Sequence, residues 1–184
     1  MSTTTTPREA VQPAQHSEEA IVDAITSGDL HHNVILEILA YHAQQADWPS
    51  LWRVADSLKR EISVLFDSQD LIWVDIGTRG QVIMSPPIGC KLPLRLWIHT
   101  HPWDAYWSAT DRRTLAAASR ILDEALVLGH DHFIRTRKCQ PPLLREVVAD
   151  SSIDYMPLAL TGPLMNWTDE AAVTYASINN PVEV

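Results

Sequence analysis

The hydrophobic period of this chain changes near residue 61, and that change limits the folds open to it. Upstream the period is helical. "SEEAIVDAIT" reads as a short helix ended by Ser27-Gly28-Asp29, and "NVILEILAYHAQQA" as a stronger one carrying Val34, Leu36, Ile38, Leu39 and Tyr41. Ser50 is expected to cap a third, "LWRVADSLKRE", in which Leu51, Val54, Ala55 and Leu58 recur at helical spacing. From Glu61 onward, "EISVLF" and "LIWVDIG" are rich in β-branched and large apolar residues and read as strands. "TRG" turns the chain into "QVIMS", Pro86-Pro87-Ile88-Gly89 makes a loop, and "LPLRLWIHTH" reads as a further strand.

Downstream, "ATDRRTLAAASRILDEALVL", Ala109 to about Leu128, predicts one long helix closed by Gly129. "HDHFIRTRK" and "YMPLAL" read as strands and "TDEAAVTYAS" as a helix. The class is α+β, a mixed β-sheet flanked by helices. The 184 residues suit a single domain over 18–184, after a Thr/Pro/Gln-rich lead-in at 1–17 that is expected to be disordered.

A net charge of −9 without a lysine/arginine cluster argues against nucleic acid and against an anionic membrane surface. No apolar run approaches the ~20 residues that span a bilayer. The first twenty residues show no charged-then-apolar signal pattern, so a cytoplasmic protein is expected. Cys90 and Cys139 are too few for a disulfide scaffold or an all-cysteine zinc site, and buried thiols are expected.

Chemistry gathers in "WIHTHPWDAYWSATD". In a strand, residues two apart share a face, so His99 and His101 can share a metal while Thr100 points away. Two imidazoles and one carboxylate form a frequent catalytic zinc set, with the fourth position left for water. Asp111, in the first turn of the helix, is the natural third ligand. Glu61, where helix gives way to strand, is the candidate general base, and Ser108 is placed to support a developing oxyanion.

Each part has a plainer reading. Ser108-x-x-Asp111 is also a helix-start signature, and a lone His-x-His on a strand is more often structural than metal-bound. Their occurrence together, in this order and followed by a helix, favours one zinc ion. His130 and His132 form a second His-x-His without a serine–aspartate partner and read as surface or strand-edge residues. Trp103, Tyr106 and Trp107 crowd the loop above the site, either as core filling or as an apolar wall for an extended peptide.

"HTHP" followed by "SATD", with an upstream glutamate opening a strand, resembles the motif of JAMM (MPN-type) zinc metalloproteases. The resemblance covers about residues 34–135 and implies the layered, cytidine-deaminase-like MPN architecture. By position it assigns zinc to His99, His101 and Asp111, water activation to Glu61 and oxyanion support to Ser108. It implies cleavage of an amide or isopeptide bond at the tail of a ubiquitin-like or small β-grasp protein, or of its conjugate. Family members that have lost ligands act as protein-interaction modules, and that is the alternative. This chain departs from the motif in two places: one residue fewer separates His101 from Asp111, and "EISVLFDSQD" lacks the glycine that often follows the family's glutamate. A nucleobase deaminase would need His-x-Glu and Cys-x-x-Cys, and neither is present.

Overall fold

The computed structural model describes residues 9–138, 164, 167, 168 and 170–179. Three helices come first: α1 (Glu18–Thr26), α2 (Asn33–Gln44) and α3 (Trp48–Leu58). They are followed by β1 (Ile62–Phe66), β2 (Ile72–Ile76), β3 (Leu96–Thr100), α4 (Ala109–Ala118), β4 (Glu124–Leu128), β5 (His132–Arg137), β6 (Val173–Thr174) and α5 (Tyr175–Asn179). The strands form one mixed sheet in the order β2-β1-β3-β4-β5-β6. β3 runs antiparallel to β1 and parallel to β4, with α4 in the crossover between the parallel pair. The α+β class expected from the change of period is what the chain adopts.

The two-residue period of the strands separates two cores. Ile62, Val64, Phe66, Ile72, Val74, Ile98, Leu126 and Leu128 face α1–α3. Leu65, Trp73, Trp97 and Ala125 face the other way, onto Leu115 and Ala118 of α4. His99 and Ser63 alternate with the first set and so belong to the α4 face, paired across β1 and β3. That parity decides which side of the sheet carries the chemistry.

Several sequence expectations are corrected. The long helix from Ala109 to Leu128 is two elements, since α4 stops at Ala118 and "EALVL" is strand β4. Ala125 to Leu128 are all buried, as in a central strand covered on both faces. Such a continuous apolar run has no alternation to distinguish it from the end of a helix. The third helix starts earlier than Ser50. Asp47 is its N-cap and accepts from the Ser50 N–H at 3.2 Å, while Pro49 sits in the first turn, where its missing N–H costs no helical bond. The helix ends at Lys59 in the left-handed conformation, φ 55°.

"QVIMS" forms no strand. Thr78 N–H closes a turn onto Gln81 O at 2.8 Å, and the free edge of β2 is met instead by Val11, whose N–H reaches Ile72 O at 2.7 Å. Within "TDEAAVTYAS", Val173 and Thr174 pair with β5 and only Tyr175 begins a short helix. The "YMPLAL" strand and Cys139 lie outside the described residues.

Candidate metal centre

The site forms where β3 ends and α4 begins. His99, the central residue of a three-strand ladder, pairs with Ser63 of β1 and Val127 of β4. Its side chain is 1% exposed. Trp97, two residues back on the same face, stacks on its ring at 4.5 Å between centroids and 13° between planes. The Trp97 indole N–H donates to Ser63 Oγ at 3.0 Å, which fixes the tryptophan and through it the imidazole. His101 extends the row by one more step. Its main chain is held at both groups, the N–H donating to Leu128 O and the carbonyl accepting from the Trp52 indole, each at 2.8 Å.

Asp111 reaches this pair from the first turn of α4. Ser108 is the N-cap and the two form a capping box, in which the Ser108 N–H donates to Asp111 Oδ2 at 2.8 Å and the Asp111 N–H donates to Ser108 Oγ at 3.2 Å. Asp111 Oδ1 lies 3.3 Å from His99 Nε2, and Oδ2 lies 3.4 Å from His101 Nε2. One ligand atom from each of the three residues falls within 4.8 Å of the others, so the buried trio could hold a metal ion.

Three observations of the residues themselves fit a metal. Among the described residues neither ring nitrogen of His99 has a hydrogen-bond partner of good geometry, an expensive state for a buried polar ring. A direct imidazolium–carboxylate hydrogen bond closes to about 2.7–2.9 Å. Atoms that share a tetrahedral zinc at ~2.0 Å instead stand about 3.3 Å apart, and each imidazole Nε2 stands at about that distance from an Asp111 oxygen, His99 from Oδ1 and His101 from Oδ2. The donor set, two nitrogens and a carboxylate oxygen, suits zinc and related divalent ions.

The electrostatics agree with a neutral imidazole beside an ionised carboxylate. Burial pushes the His99 ring toward its neutral form, and the nearby Asp111 carboxylate only partly opposes this. Burial alone would raise the Asp111 carboxyl, but His101, His99 and Ser108 outweigh it and hold the group far below the usual carboxylate range. Neutral imidazole and ionised carboxylate are the forms that bind metal.

Glu61 lies in the extension of β1, its N–H donating to Thr78 O and its carbonyl accepting from Gly77 N–H, both at 2.8 Å. It shares the parity of Ser63, and continuing the β1–β3 register by one two-residue step sets it beside His101. Glu61, Ser108, His101 and Asp111 all line one cavity of about 440 Å³. Burial raises the Glu61 carboxyl, and the His101 ring pulls it back. The five residues singled out in the sequence are therefore brought together. Tyr106 meets His101 edge-on at 4.7 Å and Trp107 tilts over His99 at 5.6 Å, so part of the aromatic loop walls the centre.

The loop from Pro102 to Trp107 is pinned by the second His-x-His, which the sequence suggests to be surface or strand-edge residues. Ala105 N–H donates to His132 Nε2 at 3.1 Å, and His132 Nδ1 contacts Asp131 Oδ1 at 2.6 Å. His130 N–H donates to Trp103 O at 2.7 Å. Gly129 is required by close approach, since a Cβ there would sit 2.5 Å from Ala105 N and 2.7 Å from Trp103 O. His132 is thus a loop anchor, and the second His-x-His has a positional role that its spacing alone does not announce. Trp97 could have been found, being two residues from His99 on the same strand face.

In comparisons with protein-family models, with curated proteins and with solved structures, nothing matches the chain. What is established is an α+β protein with a buried His99–His101–Asp111 group able to take one metal ion. No described helix is long and apolar enough to cross a membrane.

Proposed function

We propose that the protein is a zinc-dependent metallohydrolase of the JAMM type that cleaves an amide or isopeptide bond. The substrate class that goes with this reading is the C-terminal tail of a ubiquitin-like or small β-grasp protein, or its conjugate. The observation that carries the proposal is convergence: His101, Asp111, the second buried carboxylate of Glu61 and the Ser108 hydroxyl line one cleft, and the buried His99 completes the group with His101 and Asp111.

His99, His101 and Asp111 would hold the ion. When bound, zinc supplies Lewis acidity and brings the pKa of a coordinated water down to about 7. Glu61 takes the proton from the attacking water and returns it to the departing nitrogen, the work of a carboxylate within reach of both. Ser108 Oγ already accepts from the Asp111 N–H, which leaves its O–H free to donate to the oxygen on which charge develops. Trp97 and Trp107 hold the His99 ring and keep bulk water from it.

The test is Glu61→Gln measured for zinc content and for hydrolysis of ubiquitin-like C-terminal aminocoumarin amides. The expected result is one zinc per chain with turnover reduced by about 10²-fold or more. Full activity would assign the base elsewhere. A wild-type chain that takes up no zinc and cleaves nothing would leave a protein-interaction module as the function.

A further inference from the structure

Glu61, His101 and Pro102 line a second cavity, of about 220 Å³, and so form the boundary between it and the cleft of the metal centre. Its remaining lining has a different character. Lys59, Arg60 and Arg79 contribute to it, and Trp52 and Trp103 form aromatic walls. Trp103 is 74% exposed, at the mouth. Lys59 is paired with Asp56 at 2.9 Å, whereas Arg60 and Arg79 make no ion pair among the described residues.

Arg60 and Arg79, both exposed, line the same hollow of a chain whose net charge is −9. Arg60 follows the C-cap of α3 and Arg79 lies in the turn after β2, so the pair is assembled by the fold and not by adjacent sequence. A guanidinium is planar and presents parallel N–H donors that match an oxyanion in bidentate fashion. Two carboxylates also line the cavity, Asp56, which is paired with Lys59, and Glu61, so an anion is best accommodated beside the arginines and away from Glu61.

We infer that this cavity is an anion subsite that binds a carboxylate on the substrate, beside the bond held at the metal centre. Naming the anion a carboxylate rests on the reading of the centre as an amide hydrolase, because a peptide-like substrate carries its negative charge there. Two sources are open to it, an acidic side chain and a free C-terminus. The aromatic walls would flank the chain that bears it.

The experiment uses the full chain, zinc-loaded and zinc-free, titrated calorimetrically with three probes. These are a neutral acetylated tetrapeptide amide, the same peptide carrying one Glu, and the same peptide with a free C-terminus. At least one acidic probe should bind tenfold or more tightly than the neutral one, with or without zinc. The double variant Arg60→Ala, Arg79→Ala should abolish that preference, while Arg113→Ala, which removes an exposed charge outside the cavity, should retain it. Whichever acidic probe is favoured identifies the source. Equal binding of all three probes would overturn the subsite, as would a preference that survives the double variant. A preference seen only with zinc would also overturn it, since the carboxylate would then be on the metal. An acid preference without hydrolysis supports the subsite and removes the hydrolase reading; hydrolysis without an acid preference does the reverse.

Discussion

Ser108 and Asp111 hold each other, the main-chain N–H of each donating to the side chain of the other, at 2.8 Å and 3.2 Å. The capping and ligand readings of Ser-x-x-Asp therefore do not compete. The same box that starts α4 aims the Asp111 carboxylate at His99 and His101.

Ser108→Ala should thus weaken two things together. Loss of the cap costs about 1 kcal/mol in urea unfolding, and the looser helix start that aims Asp111 lowers zinc affinity by up to about tenfold, because the Ser108 main-chain N–H on Asp111 Oδ2 is kept. Competition titration with a chromogenic chelator measures the second. Unchanged affinity would show that the Ser108 main-chain N–H and packing suffice to orient Asp111.

Asp111→Asn keeps the shape of the box and removes the charge. Elemental analysis should find about one zinc per wild-type chain and none in this variant or in His101→Ala. Zinc at 100 times its Kd should raise the stability of the wild-type chain by about 2.7 kcal/mol. It should leave the melting temperature of Asp111→Asn unmoved. Zinc retained by Asp111→Asn would make the aspartate a cap only.

Asp67 gives the pH dependence. Its buried carboxylate accepts from the N–H groups of Gln69, Leu71 and Lys91 at 2.8, 3.1 and 3.1 Å, and from the Trp73 indole at 3.4 Å. Burial pushes its pKa up, but these donors together outweigh it and hold the group below its ordinary value. The unfolded chain therefore binds this proton more tightly than the folded one. The stabilisation is complete above the unfolded value of about 3.9 and declines as pH falls through the folded one. Asp67→Asn should cost about 1–3 kcal/mol at pH 7. Its deficit should shrink below about pH 4 in denaturant titrations followed by tryptophan fluorescence. A deficit independent of pH would assign the cost to packing.

Gly129→Ala tests the pinning of the loop. The added methyl would meet the main chain of Ala105 and Trp103. Relief requires the loop to move, at a cost of about 1–3 kcal/mol. Because Tyr106 and Trp107 contact the two histidines, zinc affinity should fall as well. A stable variant with unaltered zinc binding would show that the loop is free to shift.

Much of the centre was legible because its parts are local and periodic. His99 and His101 follow from the two-residue repeat, and Ser108 and Asp111 from the grammar of helix starts. Glu61 was legible only as a residue at a boundary; its place beside His101 depends on strand register, which no local pattern encodes. The end of α4 was illegible for a related reason. "ILDEALVL" has the composition of either element, and only the pairing of Leu126 with Ile98 makes it a strand. The anchoring role of His132 is not legible, because its partner is a main-chain N–H, which leaves no trace in side-chain spacing.

The position of β3, with β1 and β2 on one side and β4, β5 and β6 on the other, bears on how a bound ion could escape. Ligands on a central strand and one residue past its end cannot be peeled away by fraying at a sheet edge. A chelator in solution must either enter by the cleft or wait for the whole sheet to open. Zinc loss followed against denaturant should therefore show a flat regime, set by the mouth of the cleft, and then a steep one that tracks global unfolding. The ion would act as a built-in clock for the rarest and largest motion of the chain.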